Sequence, residues 1–379
     1  MKTVHIGFAH RADDVRIYTK ECMSLEEAGY EVVYITAATD KPVFKSGSNV
    51  TVKQLDIKRV GYSRLKHPIR HYKNNAAVHN AIYDAAYAEK ADVYHVHEYS
   101  LLGVALKLKK ELKAKVIYDA HECVPEQILN QAFGKSAPAR AIKKANSLIT
   151  ELTENRNAKK CDAVVAATEH IAERFTGLGI KTEVVRNYPQ VSDEAPVRNP
   201  VPNTICYVGT VFKARGITQL VQAVEGTDVI LRIAGNIPTE YEKELSQLGG
   251  WKNVKKEGFL SGEKVALLMS ECCIGMVTLL PTPNIFNSLP VKLFEYMRAG
   301  MPVIASDFPL WAEIVNGAHC GICVQPESVE SIKGAISELL SNSEEAKRMG
   351  SNGRTAAVQK YNWTTEKQRL IAIYSELVG

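Results

Sequence analysis

The sequence predicts two doubly wound α/β domains in tandem, each a parallel sheet with helices on both faces. Three observations predict this. Apolar runs of strand length alternate with amphipathic segments of helix length along most of the chain, as in parallel sheets covered on both sides. The 379 residues exceed one ordinary core. The alternation also stops once, where Pro189, Pro196, Pro200 and Pro202 punctuate a polar stretch without periodicity. That stretch, 189–202, reads as a linker between residues 1–188 and 203–363.

The first half offers strands at Val4–Ala9, Glu31–Thr36, Thr51–Leu55, Asp92–His97, Lys115–Asp119, Ala163–Ala167 and Thr182–Arg186. Helices fall between them at Tyr18–Ala28, Asn75–Ala88, Leu101–Leu112 and Ser136–Cys161. The second half offers strands at Asn203–Val208, Val229–Ala234, Val254–Glu257, Ile274–Leu279 and Val303–Ala305. Its helices are Ile217–Val224, a segment from Glu240, Glu263–Cys272, Val291–Arg298 and Ser328–Leu340. Gly300 and Pro302 close the helix at Val291–Arg298, one by left-handed geometry and the other by its missing amide. The last segment, Tyr361–Val378, is amphipathic, with Trp363, Leu370, Ile373, Tyr374 and Leu377 on one face.

Composition is that of a soluble globular protein: 45% hydrophobic and 23% charged. No apolar run reaches bilayer length. The N-terminus enters a strand without a signal-peptide pattern, so the cytosol is the expected location. Eight cysteines are scattered, and only Cys320 and Cys323 have metal-like spacing. A lone pair lacks the second half of a zinc site, so reduced core thiols are expected. Net charge is +5. Lys58–Lys73 holds six Lys or Arg, two His, two Tyr and no acid. It reads either as a solvated loop and helix start or as a surface for anionic lipid of an inner leaflet or a phosphate-bearing acceptor. No nucleic-acid-binding motif accompanies it.

Ligands of open parallel sheets bind beyond the carboxyl ends of the strands. Candidates there are Asp14 and Arg16, His97 and Glu98, and His121 and Glu122 in the first half. His121 follows a strand directly and can hydrogen-bond a hydroxyl or donate to a phosphate; the alternative is a histidine anchoring its own turn. In the second half the strand ends are Gly209-Thr210, Gly235 and Phe259, with Lys213 and Arg215 opening the next helix. Asn287, Ser288, Leu289, Pro290, Val291 and Lys292 form a loop and helix start whose unpaired amides attract anions. Glu295 lies in that helix. It can hold sugar hydroxyls, or it can simply pair with Lys292 three residues earlier.

The stretch Pro290-Val-Lys-Leu-Phe-Glu-Tyr-Met-Arg-Ala-Gly-Met-Pro-Val-Ile-Ala-Ser-Asp307 resembles the donor-site signature of the retaining GT-B glycosyltransferases of family 4. Other segments agree in order: Asp14-Val-Arg-Ile17 with Lys20-Glu21, Asp92-Val-Tyr-His-Val-His-Glu98, Tyr118-Asp-Ala-His-Glu122, Arg186-Asn-Tyr-Pro189, Tyr207-Val-Gly-Thr210 with Arg215-Gly216, and Tyr361-Asn-Trp363. The nearest likeness is to members that build capsules, O-antigens and exopolysaccharides.

The resemblance implies two Rossmann-like domains around a cleft, with the final helix, about 364–379, returning to the first. It implies a nucleotide-sugar donor, UDP-linked by expectation, with no resident cofactor and no metal. It assigns Glu295 to the ribose hydroxyls, His121 to the neighbourhood of the transferred sugar, and Arg215, helped by Lys213, to the leaving diphosphate. Asp14 and Arg16 would face donor phosphate and acceptor. The acceptor would be a glycan, free or on a lipid diphosphate. Asn287 and Thr210 depart from the signature, where a glutamate and an arginine are common. Two other readings share these features: a UDP-sugar 2-epimerase of the same fold, and a non-catalytic partner that recruits synthesis enzymes to the membrane.

Overall fold

The computed structural model describes every residue except 9, 39–41, 43–46, 58–67, 131–135 and 379, and every side chain except those of these residues and of 68–74 and 378. The basic segment Lys58–Lys73 therefore lies outside the residues whose side chains are described. The chain forms two compact units, Met1–Asn187 with Thr364–Gly379, and Tyr188–Trp363.

The first unit is a seven-stranded parallel sheet. Its strands are β1 (Lys2–Gly7), β2 (Glu31–Thr36), β3 (Thr51–Gln54), β4 (Val93–Val96), β5 (Lys115–Ala120), β6 (Ala163–Ala166) and β7 (Thr182–Val184), in the order 3-2-1-4-5-6-7. The order reverses between β1 and β4, which places the ligand-binding edge at their carboxyl ends. The central strands are buried on both faces, as their apolar runs require. The parallel register sets His5 beside His95 and His95 beside Ile117. It thereby carries His5, His95 and His97 towards Asp119.

The second unit is a six-stranded parallel sheet: β8 (Thr204–Val208), β9 (Ile230–Ala234), β10 (Val254–Gly258), β11 (Ile274–Val277), β12 (Val303–Ser306) and β13 (Gly321–Val324), in the order 10-9-8-11-12-13. Its switch point lies between β8 and β11. The stretch read as a linker packs into this unit. Arg198 donates to Gly300 O and Cys272 O at 2.6 Å each, and Asn199 and Val201 donate to Ser270 O and Glu271 O.

Several elements differ from the sequence reading. Residues 15–27 are one turn-start longer than expected: a π-helix, Val15–Cys22, runs into the α-helix Met23–Glu27. Asp14 caps it, its carboxylate accepting from the amides of Arg16 and Ile17. Strand β13 and the helices Glu169–Thr176, Pro309–Gly317 and Ser343–Gln359 are additional. The last of these is largely polar and packs closely through glycine, with Ala357 buried beside it. A Cβ on Gly350 would stand 2.3 Å from Gly300 O, and one on Gly353 would stand 3.1 Å from Cys320 Cβ.

The final helix, Trp363–Val378, joins the first unit from Thr364 onward. Leu370 and Tyr374 are fully buried there. Glu366 accepts from the Arg186 amide at 2.8 Å and pairs with its guanidinium at 3.1 Å. Burying an amphipathic face at this distance along the chain is worth its ordering cost only if the contacts are apolar and complete. Leu370→Ala should therefore lower unfolding stability by about 2–5 kcal/mol, the usual cost of a cavity in a packed core. Urea unfolding followed by circular dichroism measures it, and a loss within error of zero would contradict the docked helix.

Candidate active site

The carboxyl edge of the first sheet holds a buried polar network centred on Asp119. Its carboxylate is fully buried. Burial alone would raise its pKa, but Arg16 and His121 hold it well below the usual carboxylate range. Arg16 lies on the π-helix, which turns its guanidinium inward: Nη2 is 2.9 Å from Asp119 Oδ1 and Nε 3.3 Å from Oδ2. Arg16 Nε is also 3.0 Å from Glu21 Oε1. Burial and neighbouring Asp119 push the Glu21 pKa upward, against the opposing charge of Arg16.

An ionised Asp119 can only accept, and this favours one arrangement of protons along a chain of rings. His97 Nδ1, at 3.2 Å, must donate to Asp119. His97 Nε2 must then accept from His5 Nδ1 at 2.9 Å. His5 Nε2 accepts from the Tyr374 hydroxyl at 3.1 Å. The Tyr374 oxygen then accepts from His95 Nδ1 at 2.9 Å. His95 Nε2 is left as a buried acceptor without a partner. His121 Nε2, 2.9 Å from Asp119 Oδ2, also donates. Its other nitrogen, Nδ1, is thereby a free-base acceptor on a ring that is 17% exposed. That is the arrangement needed to accept a hydroxyl proton or hold a hydroxyl in place.

His10 and Glu98 flank this group. His10 Nδ1 is 3.4 Å from Asp14, and its Nε2 is 3.6 Å from Glu98. Glu98 also accepts from the Phe8 amide. Glu122 is exposed and accepts from the Gln127 side chain, apart from the network. Glu21, His95, His97 and Asp119 are close enough to ligate one metal ion. However, the Arg16 guanidinium already supplies the positive charge within 3.0 Å of both carboxylates.

On the second unit the edge is built around Gly209, which follows β8 with φ +131° and approaches closely. A Cβ there would stand 3.3 Å from Lys292 Nζ. Gly235, at φ +150°, follows β9, and a Cβ on it would strike Gly209 O at 2.1 Å. Both positions therefore require glycine. Lys292, on the helix Val291–Arg298, reaches back over the Tyr207 ring, with Nζ 3.6 Å from its centroid. The sequence alternative of a Lys292–Glu295 pair is corrected: Glu295 pairs with Arg298 at 2.6 Å. Burial and then the Arg215 charge lower the Lys292 pKa well below its usual value. Arg215 stacks on Phe212, and its Nε is buried without a partner. Among the described residues no carboxylate pairs with either cation. Lys213, expected to assist here, is instead exposed and ion-paired with Glu244 at 2.5 Å.

The loop before the helix is pinned rather than open. Trp311 Nε1 donates to Ser288 O at 2.7 Å, and the Ser288 amide and hydroxyl both go to Ile285 O. Pro290 is buried at the N-cap position without a side-chain cap, so the anion-binding amides are those that open the helix at Val291 and Lys292. Leu289 and Asn287 are half-buried beside them, while Thr210 and Phe259 are exposed. Sequence reasoning passed over His5, His95, Glu21 and Tyr374, and it missed the charge role of Lys292. The one signal for the histidines was their alternation, His95-Val-His97, which puts two rings on one face of a strand otherwise apolar.

Comparison with known proteins follows this geometry. Residues 19–189 match the family described as Glycosyltransferase Family 4, and residues 191–356 match Glycosyl transferases group 1. The MMP alpha-(1->4)-mannosyltransferase of Mycolicibacterium hassiacum is 25% identical over 195 residues, 49% of this chain and 45% of that protein. The chain thus spans about half the length of the curated relatives it matches. Among solved structures, sucrose-phosphate synthase from Thermosynechococcus elongatus superposes with TM-score 0.78 at 17% identity, over 100% of this chain and 99% of that one. The Anabaena protein Alr3699/HepE, solved with UDP-glucose, gives TM-score 0.71 at 15% identity over 99% and 100%.

The buried rings make stability depend on pH. Burial holds His5, His95, His97 and His121 below their usual value, His97 at about 4. Unfolding restores ordinary values, so between about pH 7 and pH 4 the unfolded chain binds more protons. Two groups oppose this by binding protons more readily when folded: Glu21, and His10, which Asp14 raises against the effect of burial. Four against two leaves a net loss. The melting midpoint should fall progressively as pH falls from 7 to 4. A midpoint that held constant across that window would contradict the neutral rings.

Proposed function

The chain belongs to the family 4 glycosyltransferases of GT-B fold, and we propose that it transfers a sugar, with retained anomeric configuration, from a nucleotide diphosphate sugar to a glycan or lipid-linked glycan. The observation that carries this is the pair of cations Lys292 and Arg215. Among the described residues they have no acid partner, and they lie beside Gly209 and a helix start. A lysine crowded by burial and a second cation holds its proton less firmly, and a diphosphate would supply the counter-charge for Lys292, Arg215 and the helix amides together. UDP is the first nucleotide to test, since a protein of the same fold has been solved with UDP-glucose.

In the proposed step, the bond between the anomeric carbon and the diphosphate oxygen breaks. Lys292, Arg215 and the amides opening the helix stabilise the charge that develops on that oxygen. An acceptor hydroxyl attacks the same face, and its proton passes to the departing phosphate oxygen. No enzymic nucleophile and no metal is then required. His121, presenting Nδ1 as an acceptor, holds a sugar hydroxyl. Glu295, a quarter exposed beside Arg298, is the candidate for the ribose hydroxyls. The products belong to surface polysaccharide synthesis at the cytoplasmic side of a membrane.

A thermal-shift screen of UDP-, GDP- and ADP-sugars tests the donor, because a ligand specific to the native state raises its midpoint. Lys292→Gln and Arg215→Gln should each weaken the responding nucleotide sugar about 10- to 100-fold, the worth of a charge-assisted hydrogen bond. Lys213→Gln, altering an exposed ion pair, should leave it within about twofold. His121→Ala should abolish transfer while donor binding persists. Failure of every nucleotide sugar to shift the midpoint would sink the proposal. Release of an isomerised free nucleotide sugar in the absence of acceptor would convert it to an epimerase.

A further inference from the structure

The helix Ala137–Ala158, 22 residues long, carries an apolar face that no described element covers. Ile142, Leu148, Ile149 and Leu152 are 57–63% exposed. At 3.6 residues per turn they fall, with Ala141 and Ala145, within about 60° of a single line along the helix. The rotation of the helix is fixed from behind. Ser147 donates to Pro125 O at 2.8 Å, and Glu154 is buried, accepting from the Tyr118 hydroxyl and pairing with Arg174 at 2.6 Å each. The apolar stripe is therefore the outward face and not an alternative packing surface.

The exposed charges of this helix are of one sign. Arg140, Lys144 and Arg156 are exposed on the helix, and Lys159 and Lys160 are exposed just past its end. The two acids of the helix are withdrawn: Glu154 into the protein, and Glu151 half-buried on the flank. Scattered exposed apolar residues need no explanation, but four on one face of one helix whose exposed charges are all cations do. A second copy of the chain is a poor occupant. A two-fold pairing places each flank against its own kind, cation against cation.

We propose that the outward face of Ala137–Ala158 lies on the surface of an anionic lipid bilayer. Ile142, Leu148, Ile149 and Leu152 would enter the acyl boundary, and the flanking Arg and Lys would meet lipid phosphates. The helix is about 33 Å long at its ordinary rise, and its stripe runs over three turns, enough for a surface-lying rather than a spanning contact. The basic and apolar parts act together, because neither a few cations nor four side chains alone anchors a protein stably. The inference does not rest on the sugar-transfer reading, since it concerns lipid alone.

Co-sedimentation of the full chain with vesicles, in the absence of any nucleotide or sugar, tests it. One set contains phosphatidylglycerol in phosphatidylcholine and the other phosphatidylcholine alone. Binding to the anionic set is expected, weakening as salt is raised. The double variant Leu148→Ser, Leu152→Ser should lower partition about tenfold or more, as should Lys144→Ser with Arg156→Ser on anionic vesicles only. All four side chains are exposed, so the melting midpoint should not move, which separates lost docking from lost folding. Absence of binding to anionic vesicles overturns the proposal, as does binding that both variants retain. Vesicle indifference together with a dimer that the leucine variant dissociates overturns it in favour of a second copy.

Discussion

The carboxylate of Asp119, ionised in the fully buried edge of the first sheet, is the constraint on which that unit's site depends. A buried carboxylate is tolerated only if it is paired and hydrogen-bonded. Arg16 supplies the charge, and the short π-helix that Asp14 caps is what brings its guanidinium inward. Once ionised, Asp119 can only accept. That single fact favours one proton placement on His97, His5, Tyr374 and His95 in turn, and independently on His121. The catalytic candidate, His121, is thus given a defined tautomer by a residue two positions before it. The last helix is tied into the same chain through Tyr374.

The two units handle charge in opposite ways. In the first, the strong charges described at the edge are paired: Arg16 with Asp119 and Glu21, and Asp14 with its helix amides. Such a network is rigid, and it orients a ring rather than attracting a ligand. In the second, Lys292 and Arg215 crowd together with no carboxylate opposite among the described residues, over an aromatic ring and a glycine that cannot be replaced. Burial and that repulsion lower the Lys292 pKa, and an arriving anion would raise it again. Pre-placed basic groups without acid partners favour binding of a diphosphate and stabilise it further as charge develops on departure.

The alternation of apolar runs was enough to read both parallel sheets, because strands buried on two faces need continuous apolar sequence. Position alone then picked out the strand-end residues, Asp14, His97, His121 and Gly209, and the helix at Val291–Arg298. What could not be read was pairing. Lys213 and Lys292 are both basic and both near a strand end in sequence order. Only the folded chain shows that one meets Glu244 while the other covers Tyr207. His5 and His95 sit within strands rather than beyond them, so a search of strand ends passes over them. Ser343–Gln359 escaped for a different reason. Its contacts are made by the absence of side chains at Gly350 and Gly353, which leaves no apolar periodicity to detect.

The same limit governs the surface of the first unit. Net basic charge drew the sequence reading to Lys58–Lys73, where lysines and arginines cluster with no acid. Ala137–Ala158 carries acids as well, Glu151 and Glu154, and so looks like an ordinary solvated helix when charges are counted. The fold changes the count by turning Glu154 onto Tyr118 and Arg174. The residues left outside are then four large apolar side chains and a set of cations. An amphipathic helix is normally recognised by its apolar face turned inward. Here the inward face is the one carrying Ser147 and Glu154, and the apolar one faces out. A helix that inverts the usual arrangement at the surface of a folded unit leaves its apolar area in water unless something else covers it. The charge edging that area selects a partner that is anionic, extended and apolar just beneath its surface.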